Sequence, residues 1–517
     1  MNDGFPWLSV AMLLPIVGGI VVAFLPKPDP DQPTALPKQV AFAVSLLTLA
    51  VVIGLAVGFS PQGDAYQFTE LHTWIAGFGA HYSLGLDGIG LMMLLLTTIL
   101  TPIVILASWH DGDKGRFSAN AFFAWLLVLE GLSIGVFIAT DVLLFYLLFE
   151  ATLLPLYFLI GGYGRGDRAR AALKFLLYNL FGGLMMLAAV IGLYVYSADK
   201  GGPTYLLSEL TGMDFGTNPE RWMFVGFFVA FAIKAPMFPL HTWLPDAADS
   251  ATPGTAVLMV SVLDKVGTFG MIRFCLGLFP EASTWATPVV LVLAIISVVY
   301  GALLAIGQRS LMRLIAFTSV SHFGFIVIGI FVFNSLGTSG SMLYMFNHGL
   351  STALLFLVAG FLISRRGSQL IADYGGVEKI APVLSGAFLI GGLSTLSLPG
   401  LSPFVSEFMV IAGAFAHEEW IAIAVIIAIV LAALYILLTY QRMMTGPTKP
   451  EVEGFSDLSV REVTVVAPLV ALVVALGFFP QVLLNVINPA VERSLDHVGK
   501  TDPAPTVAGT ADEEASK

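Results

Sequence analysis

Stretches of about 20 mostly apolar residues, the length that crosses a hydrocarbon core, recur along the whole chain. This feature decides the class before any motif is read. Charged residues make up 11% of the chain and apolar residues 57%, whereas a soluble domain carries about 25% charge. Polar surface is therefore too scarce to cover the chain in water. The runs lack the alternation of a membrane β-barrel, so the fold class is all-α, a polytopic membrane protein. Counting the runs gives about 14 spans, at residues 7–25, 38–58, 88–108, 118–138, 141–161, 171–196, 221–240, 252–278, 286–306, 312–333, 341–363, 382–412, 419–439 and 462–482.

The N-terminus has no basic n-region, so Trp7 to Leu25 is expected as a retained first span. The residues after the last span, 486–517, are expected as an exposed tail, and Thr501 to Lys517 has a disordered composition. Cys275 is the only cysteine, which excludes a disulfide framework and a cysteine-ligated zinc or iron–sulfur site. No basic patch with interleaved aromatics is present, so nucleic acid is excluded as a partner. The partner implied by composition is the lipid bilayer.

Lysine and arginine are distributed unequally between the loops. Odd-numbered loops and their edges hold Lys27, Lys38, Lys114, Arg116, Arg165, Arg168, Arg170, Arg309, Arg313, Arg365, Arg366, Lys379, Arg442, Lys449 and Arg461. Even-numbered loops hold only Lys200 and Arg221, and the tail adds Arg493, Lys500 and Lys517. By the positive-inside rule the odd loops are cytoplasmic and both termini lie outside.

Two spans are interrupted in a related way. Lys234-Ala-Pro-Met-Phe-Pro239 breaks the seventh, and Ser397-Leu-Pro-Gly-Leu-Ser-Pro403 breaks the twelfth, shortly before Glu407. Proline removes a backbone donor and clashes with the preceding turn. Broken backbone at membrane depth is tolerated only inside protein or beside a watery cavity. The breaks lie five spans apart, so equivalent helices run in opposite directions, as in inverted repeats. The expected organisation is helices one to three in 1–108, a first five-helix repeat in 118–278, a second in 286–441, and a last helix at 462–482.

Ionisable side chains at mid-bilayer cost about 2.5–3.5 kcal/mol even on insertion scales, so each needs a reason. From the helix rise, Glu150 lies roughly 13 Å into the fifth span, and Lys234 and Lys265 roughly 20 Å into the seventh and eighth. His322, His348 and Glu407 also fall inside spans, as do Glu130 and Asp264. These groups form a row across the membrane plane. Burial disfavours a lysine's charge and a nearby carboxylate favours it, so pairing Glu150 with Lys234 gives a lysine that can switch. Histidine passes protons through either ring nitrogen, and Thr318, Ser319 and Ser321 offer bridging hydroxyls. The structural alternatives are a buried ion pair for Glu150 and Lys234 and hydrogen-bonded packing histidines for His322 and His348. Asp264 does not share a face with Lys265, so it either pairs with another helix or is structural, and Glu130 is open in the same way; both are auxiliary candidates. Arg273 and Lys174 are expected to snorkel or meet neighbouring chains, and His241 and Trp243 to anchor at the interface. Gly161-Gly-Tyr-Gly-Arg-Gly166 follows a membrane helix rather than a strand and is a turn, not a phosphate loop. The scattered His and acidic residues lack metal-ligand spacing, and no cofactor-binding motif is found.

Several segments together resemble the antiporter-like subunits of proton-pumping NADH–quinone oxidoreductase (respiratory complex I) and of multisubunit cation/proton antiporters. They are Asp141 to Pro155, Lys234 to Asp246, Lys265 to Phe274, Arg313 to Gly324, Asn347-His348 and Leu398 to Phe408, within residues 85–445. Glu407 and the length resemble the M-type subunit, since L-type and N-type subunits usually carry lysine at that position. The resemblance implies that Glu150 and Lys234 form a coupling pair, Lys265 is a central proton station, His322 and His348 relay, and Glu407 is the terminal station. It implies a proton-translocating subunit in a bacterial plasma membrane, acting within an enzyme whose redox chemistry lies elsewhere. NADH, flavin, iron–sulfur clusters and quinone would belong to partner subunits, with L-type and N-type subunits as neighbours. The alternatives are a subunit of a cation/proton antiporter or membrane-bound hydrogenase, or a solute carrier. The sequence departs from the family at Asp246-Ala-Ala-Asp-Ser-Ala-Thr-Pro253, and at Asp264, where leucine is usual.

Overall fold

The structure, a computed structural model, describes residues 4–26 and 35–502. Lys27 and the part of the expected tail beyond residue 502, including Lys517, lie outside the described residues. Twelve described helices are long and apolar enough to cross a membrane. Two further crossings are made by broken helices, Thr217–Lys234 with Trp243–Ser250 and Pro382–Thr395 with Ser402–His417. These are the seventh and twelfth spans, where the prolines place the breaks. The sixth and eleventh spans, Arg168–Asp199 and Ser335–Arg366, have 32 residues each, about 48 Å of helix, so their polar ends project past the hydrocarbon.

Helix starts follow capping chemistry. Asp87 caps the third span by accepting from Gly90 N at 2.7 Å, and Asp141 caps the fifth by accepting from Leu144 N at 3.0 Å. Ser459 and Glu462 form a capping box at the start of Val460–Phe478. Each supplies an acceptor to donors that the first turn leaves unpaired.

The loops segregate onto two faces. On one, Lys38 meets Asp113 at 2.7 Å, Arg165 N donates to Ser250 O at 2.6 Å and Arg365 pairs with Glu462 at 2.7 Å, so odd-numbered loops join one another. On the other, an antiparallel hairpin of strands Gln67–Ile75 and Ala80–Leu86 gathers the even-numbered loops. Its Glu70 carboxylate accepts from Leu8 N at 2.8 Å and Ser9 N at 3.1 Å, placing an anion at the positive end of the first helix. His81 N donates to Asp141 at 2.8 Å. The hairpin was not anticipated, because it sits in a polar linker between apolar runs.

The segment 486–517 is not simply an exposed tail: Gln481–Val498 is a helix. Leu484, Ile487, Val491 and Leu495 recur at helical spacing and are buried, against the third and eleventh spans. Asn485, Asn488, Glu492 and Arg493 on its other positions make it too polar to register as a span.

Burial is arranged so that lipid meets little that is polar. The eighth, tenth and eleventh spans, Pro253–Leu276, Leu311–Phe331 and Ser335–Arg366, are enclosed by protein along their apolar windows. The first, second, ninth, thirteenth and fourteenth spans form the outer sheath, with side chains such as Val17, Val57, Val289, Val430 and Val474 exposed.

Candidate functional site

Lys234 ends the first half of the seventh span and is 1% exposed. The helix stops because Pro236 has no N–H for the Ala232 carbonyl; Met237 N takes that acceptor at 3.0 Å instead. Trp243 Nε1 donates to Ile233 O at 2.9 Å, and Phe238 N donates to Ser297 Oγ at 2.7 Å. The break is thus satisfied from within the protein. Trp243 and His241 are fully inside, not at an interface. Their aromatic bodies pack between helices, Trp243 on Phe175 and His241 against Tyr300 and Phe317.

Lys234 Nζ lies 3.5 Å from Thr152 Oγ1 and 5.1 Å from the Phe149 ring centre. The fifth span, Val142–Tyr163, bends there, into Val142–Ala151 and Leu153–Tyr163. Pro155 lacks the donor that would continue the ladder to Ala151. Glu150 stands at this bend. Its carboxylate fills the notch left by Gly183 on the sixth span, where an added Cβ would come within 1.8 Å of Oε1. Among the described residues no ion pair joins Glu150 to Lys234, although each lies in the other's field. The expected pair is therefore near but apart. Gly183→Ala should leave the fold intact, because the atom in conflict ends a flexible side chain, yet displace the carboxylate. A two- to several-fold loss of proton translocation in assembled protein, read by a pH-sensitive dye in vesicles, is the expected result.

Asp264 and Lys265 occupy a short α-helical stretch, Asp264–Gly270, between two π-helical segments, Leu258–Leu263 and Met271–Leu276. Such turns loosen the carbonyl ladder and recur at functional sites. Lys265 is 0% exposed, and its Nζ donates to Val260 O, five residues back, at 2.8 Å. It also lies 2.7 Å from His348 Nδ1 and 4.8 Å from the Phe323 ring centre. Two nitrogens at that distance share a proton, which either can hold. His348 Nε2 lies 3.1 Å from Thr352 Oγ1. Asp264, buried, has no hydrogen-bond partner for either oxygen among the described residues; Lys265 and Lys234 are charges that act on it.

The row continues through aromatic rings. His322 and His348 lie 5.1 Å apart between ring centres, and Tyr344 lies 5.8 Å from His322 and 6.0 Å from His348. Tyr344 Oη donates a close hydrogen bond to Glu407 Oε1. Glu407 is 5% exposed, on Ser402–His417 just beyond the break. The break carries Ser397 at φ 58° and Gly400 at φ 92°, and Asn347 Nδ2 donates to Ser402 O at 2.8 Å across it. Lys265, His348, His322 and Glu407 are thus brought together, and Glu150 and Lys234 lie at the bend of the fifth span. Sequence reasoning missed Tyr344. Its signal was its place one helical turn before His348 on one face.

The remaining candidates fall outside the row. Glu130 is buried on the fourth span, with Thr101 as its polar neighbour. Arg273 does not snorkel: it pairs with Asp87 at 2.6 Å inside the protein. Lys174 and Arg313 both pair with Asp246 at 2.6 Å, so Lys174 is also engaged within the chain. Among the described residues no group of three or more His, Cys, Asp or Glu could hold a metal.

Fold and site together define an antiporter-like membrane protein, with paired broken helices around an enclosed row of titratable groups. Residues 139–432 match the family described as NADH:quinone oxidoreductase/Mrp antiporter, transmembrane, and the chain belongs to that family. It is 51% identical over 542 residues to NADH-quinone oxidoreductase subunit M of Mycobacterium tuberculosis, covering 98% of this chain and 97% of that one. Among solved structures, a chain of respiratory complex I from Thermus thermophilus with bound NADH matches with a TM-score of 0.86 and 31% identity, covering 95% of this chain and 100% of that one. The Mrp complex from Dietzia matches at a TM-score of 0.82 with 20% identity, covering 95% of this chain and 98% of that one, and shares the fold alone.

Proposed function

We propose that the chain is the M-type proton-translocating subunit of an NADH–quinone oxidoreductase, moving protons with energy released by redox chemistry in partner subunits. The observation that carries this reading is the enclosed row from Glu150 through Lys234, Asp264, Lys265, His348, His322 and Tyr344 to Glu407. A charge change at one station alters the field at the next, and the short nitrogen and oxygen contacts let protons follow. Glu150 and Lys234 are the switching pair, Lys265 the central station, His322 and His348 the relays, and Glu407 the terminal one. Asp264 is an auxiliary charge in the field of the two lysines, and Glu130 lies off the path.

On this reading residues 118–278 and 286–441 are inverted five-helix repeats, each built round one broken helix. Electrons, flavin, iron–sulfur clusters and quinone remain in other subunits, and L-type and N-type subunits are the lateral neighbours. A solute carrier would want a substrate-sized polar chamber at mid-depth, whereas the groups from Lys265 to Glu407 lie in direct or ring-to-ring contact. The test is purification of the complex through this chain, identification of its partner chains, and NADH-driven acidification of reconstituted vesicles. Copurification with antiporter subunits alone, without any NADH-oxidising chain, would sink the assignment.

The odd-numbered loops face the cytoplasm of a bacterial plasma membrane, and both termini face outside, as the Lys/Arg asymmetry requires. In a Cys275→Ser background, cysteines replacing Asp167 and Glu451, both exposed, should label only from the cytoplasm. A cysteine replacing Asp214, exposed on the opposite face, should label only from outside. The reverse pattern would invert the orientation.

A further inference from the structure

On the face that carries the hairpin, a cavity of about 190 Å³ opens between Tyr66, the start of the third span, the end of the eighth, and the helix Gln481–Val498. Arg273, Arg493 and His497 line it, with Asp87 as its carboxylate. Arg273 is 7% exposed. Its Nη2 forms an ion pair with Asp87 Oδ1 at 2.6 Å, while among the described residues neither Nη1 nor Nη2 has a partner in hydrogen-bonding geometry. The guanidinium is fixed in direction by the Tyr66 and Phe269 rings, 5.1 and 4.7 Å from its central carbon. Among the described residues His497 Nε2 is likewise without a partner.

The charges do not balance. Two arginines face one carboxylate, whose Oδ1 also accepts from Gly90 N. A buried guanidinium donor left unmet is destabilising. An oxyanion with several acceptor oxygens meets such donors, and arginine's planar fork suits phosphate. We propose that this cavity binds a phosphate group, of a phospholipid headgroup or of free phosphate, between Arg273, Arg493 and His497.

Its setting favours the lipid. Phe478, Phe479 and Val482 are exposed where the last span turns into the Gln481–Val498 helix. The apolar face of that helix is covered by the third and eleventh spans, so these exposed apolar side chains at its start are what is left to meet lipid, beside the end of the last span. A lipid there would fasten the terminal helix to the ends of the third and eighth spans.

The test uses the intact purified complex, with Arg493→Glu and His497→Gln made singly and together, and Arg493→Lys as the conservative change. Arg493 and His497 are only half-buried, so these variants spare the interior. Binding of phosphatidylglycerol in nanodiscs, against phosphatidylcholine alone, and of radiolabelled inorganic phosphate is measured for each. The double variant should bind the anion about tenfold more weakly or worse, as expected when charge-assisted bonds are lost, and Arg493→Lys should retain most of it. Loss confined to phosphatidylglycerol identifies a lipid site, and loss of inorganic phosphate binding a free-phosphate site. Equal binding of both probes by wild type and double variant overturns the proposal. A photoactivatable phosphatidylglycerol on the wild-type complex gives a second reading that needs no variant. Crosslinks absent from residues 481–498 and 65–89, with no saturable phosphate binding, overturn it too.

Discussion

A complex carrying Lys234→Ala is expected to assemble with its partners and to oxidise NADH, but to pump protons about tenfold less or worse, a loss of at least ~1.4 kcal/mol of coupling. Among the described residues Lys234 Nζ has one weak hydrogen-bond contact, Thr152 at 3.5 Å, and otherwise faces aromatic rings. Removing it breaks no strong bond, so the main consequence is electrical: Glu150 and Asp264 lose the charge that acts on both. Truncation also leaves a void, and large-to-small core changes destabilise by about 2–5 kcal/mol. Lys234→Met fills that volume without charge and separates the two effects. Methionine should be as inactive in pumping as alanine, and Glu150→Ala should come close to both. Normal pumping by the methionine variant would reduce Lys234 to packing and dissolve the switching pair.

Glu407→Gln should impair pumping nearly as strongly, while Glu407→Lys restores part of it. Glutamine keeps an oxygen for the Tyr344 hydroxyl, which now bonds the carboxylate, and keeps the shape of the side chain. It removes only titration. Lysine restores titration with the opposite charge, so the contrast separates a need for a proton-binding group from a need for negative charge. Tyr344→Phe removes the hydroxyl between the histidines and Glu407, and is expected to give an intermediate loss, about two- to tenfold. The measurement is vesicle acidification normalised to NADH oxidation. If Glu407→Lys is as inactive as glutamine while assembled, Glu407 acts through its charge and is not a terminal station. If Tyr344→Phe pumps normally, the path bypasses the phenol.

Span number and breaks were legible because both follow from local chemistry. An apolar run of about 20 residues has few alternatives in a membrane chain, and Pro236, Pro239, Pro399 and Pro403 mark where a helix cannot continue. The hairpin and the terminal helix were not legible. Residues 67–86 pair with one another within a polar linker, and Gln481–Val498 carries too many polar residues to pass as a span while its buried face needs the third and eleventh spans to cover it.

The row of candidate groups divides in the same way. That Glu150, Lys234, Asp264, Lys265, His322, His348 and Glu407 are buried in helices follows from the sequence, because each interrupts an apolar run and a charge there needs a reason. Which of them touch does not follow, because contact depends on helix rotation and packing between segments far apart in the chain. Lys265 meets His348 across 83 residues, and Tyr344 meets Glu407 across 63. Glu150 and Lys234, expected as a pair, are held apart by the bend at Thr152 and the notch at Gly183. Arg273, expected to reach outward, turns inward to Asp87. Hydropathy along a helix reports what lipid or protein must cover; only the packed bundle decides which buried donor faces which acceptor.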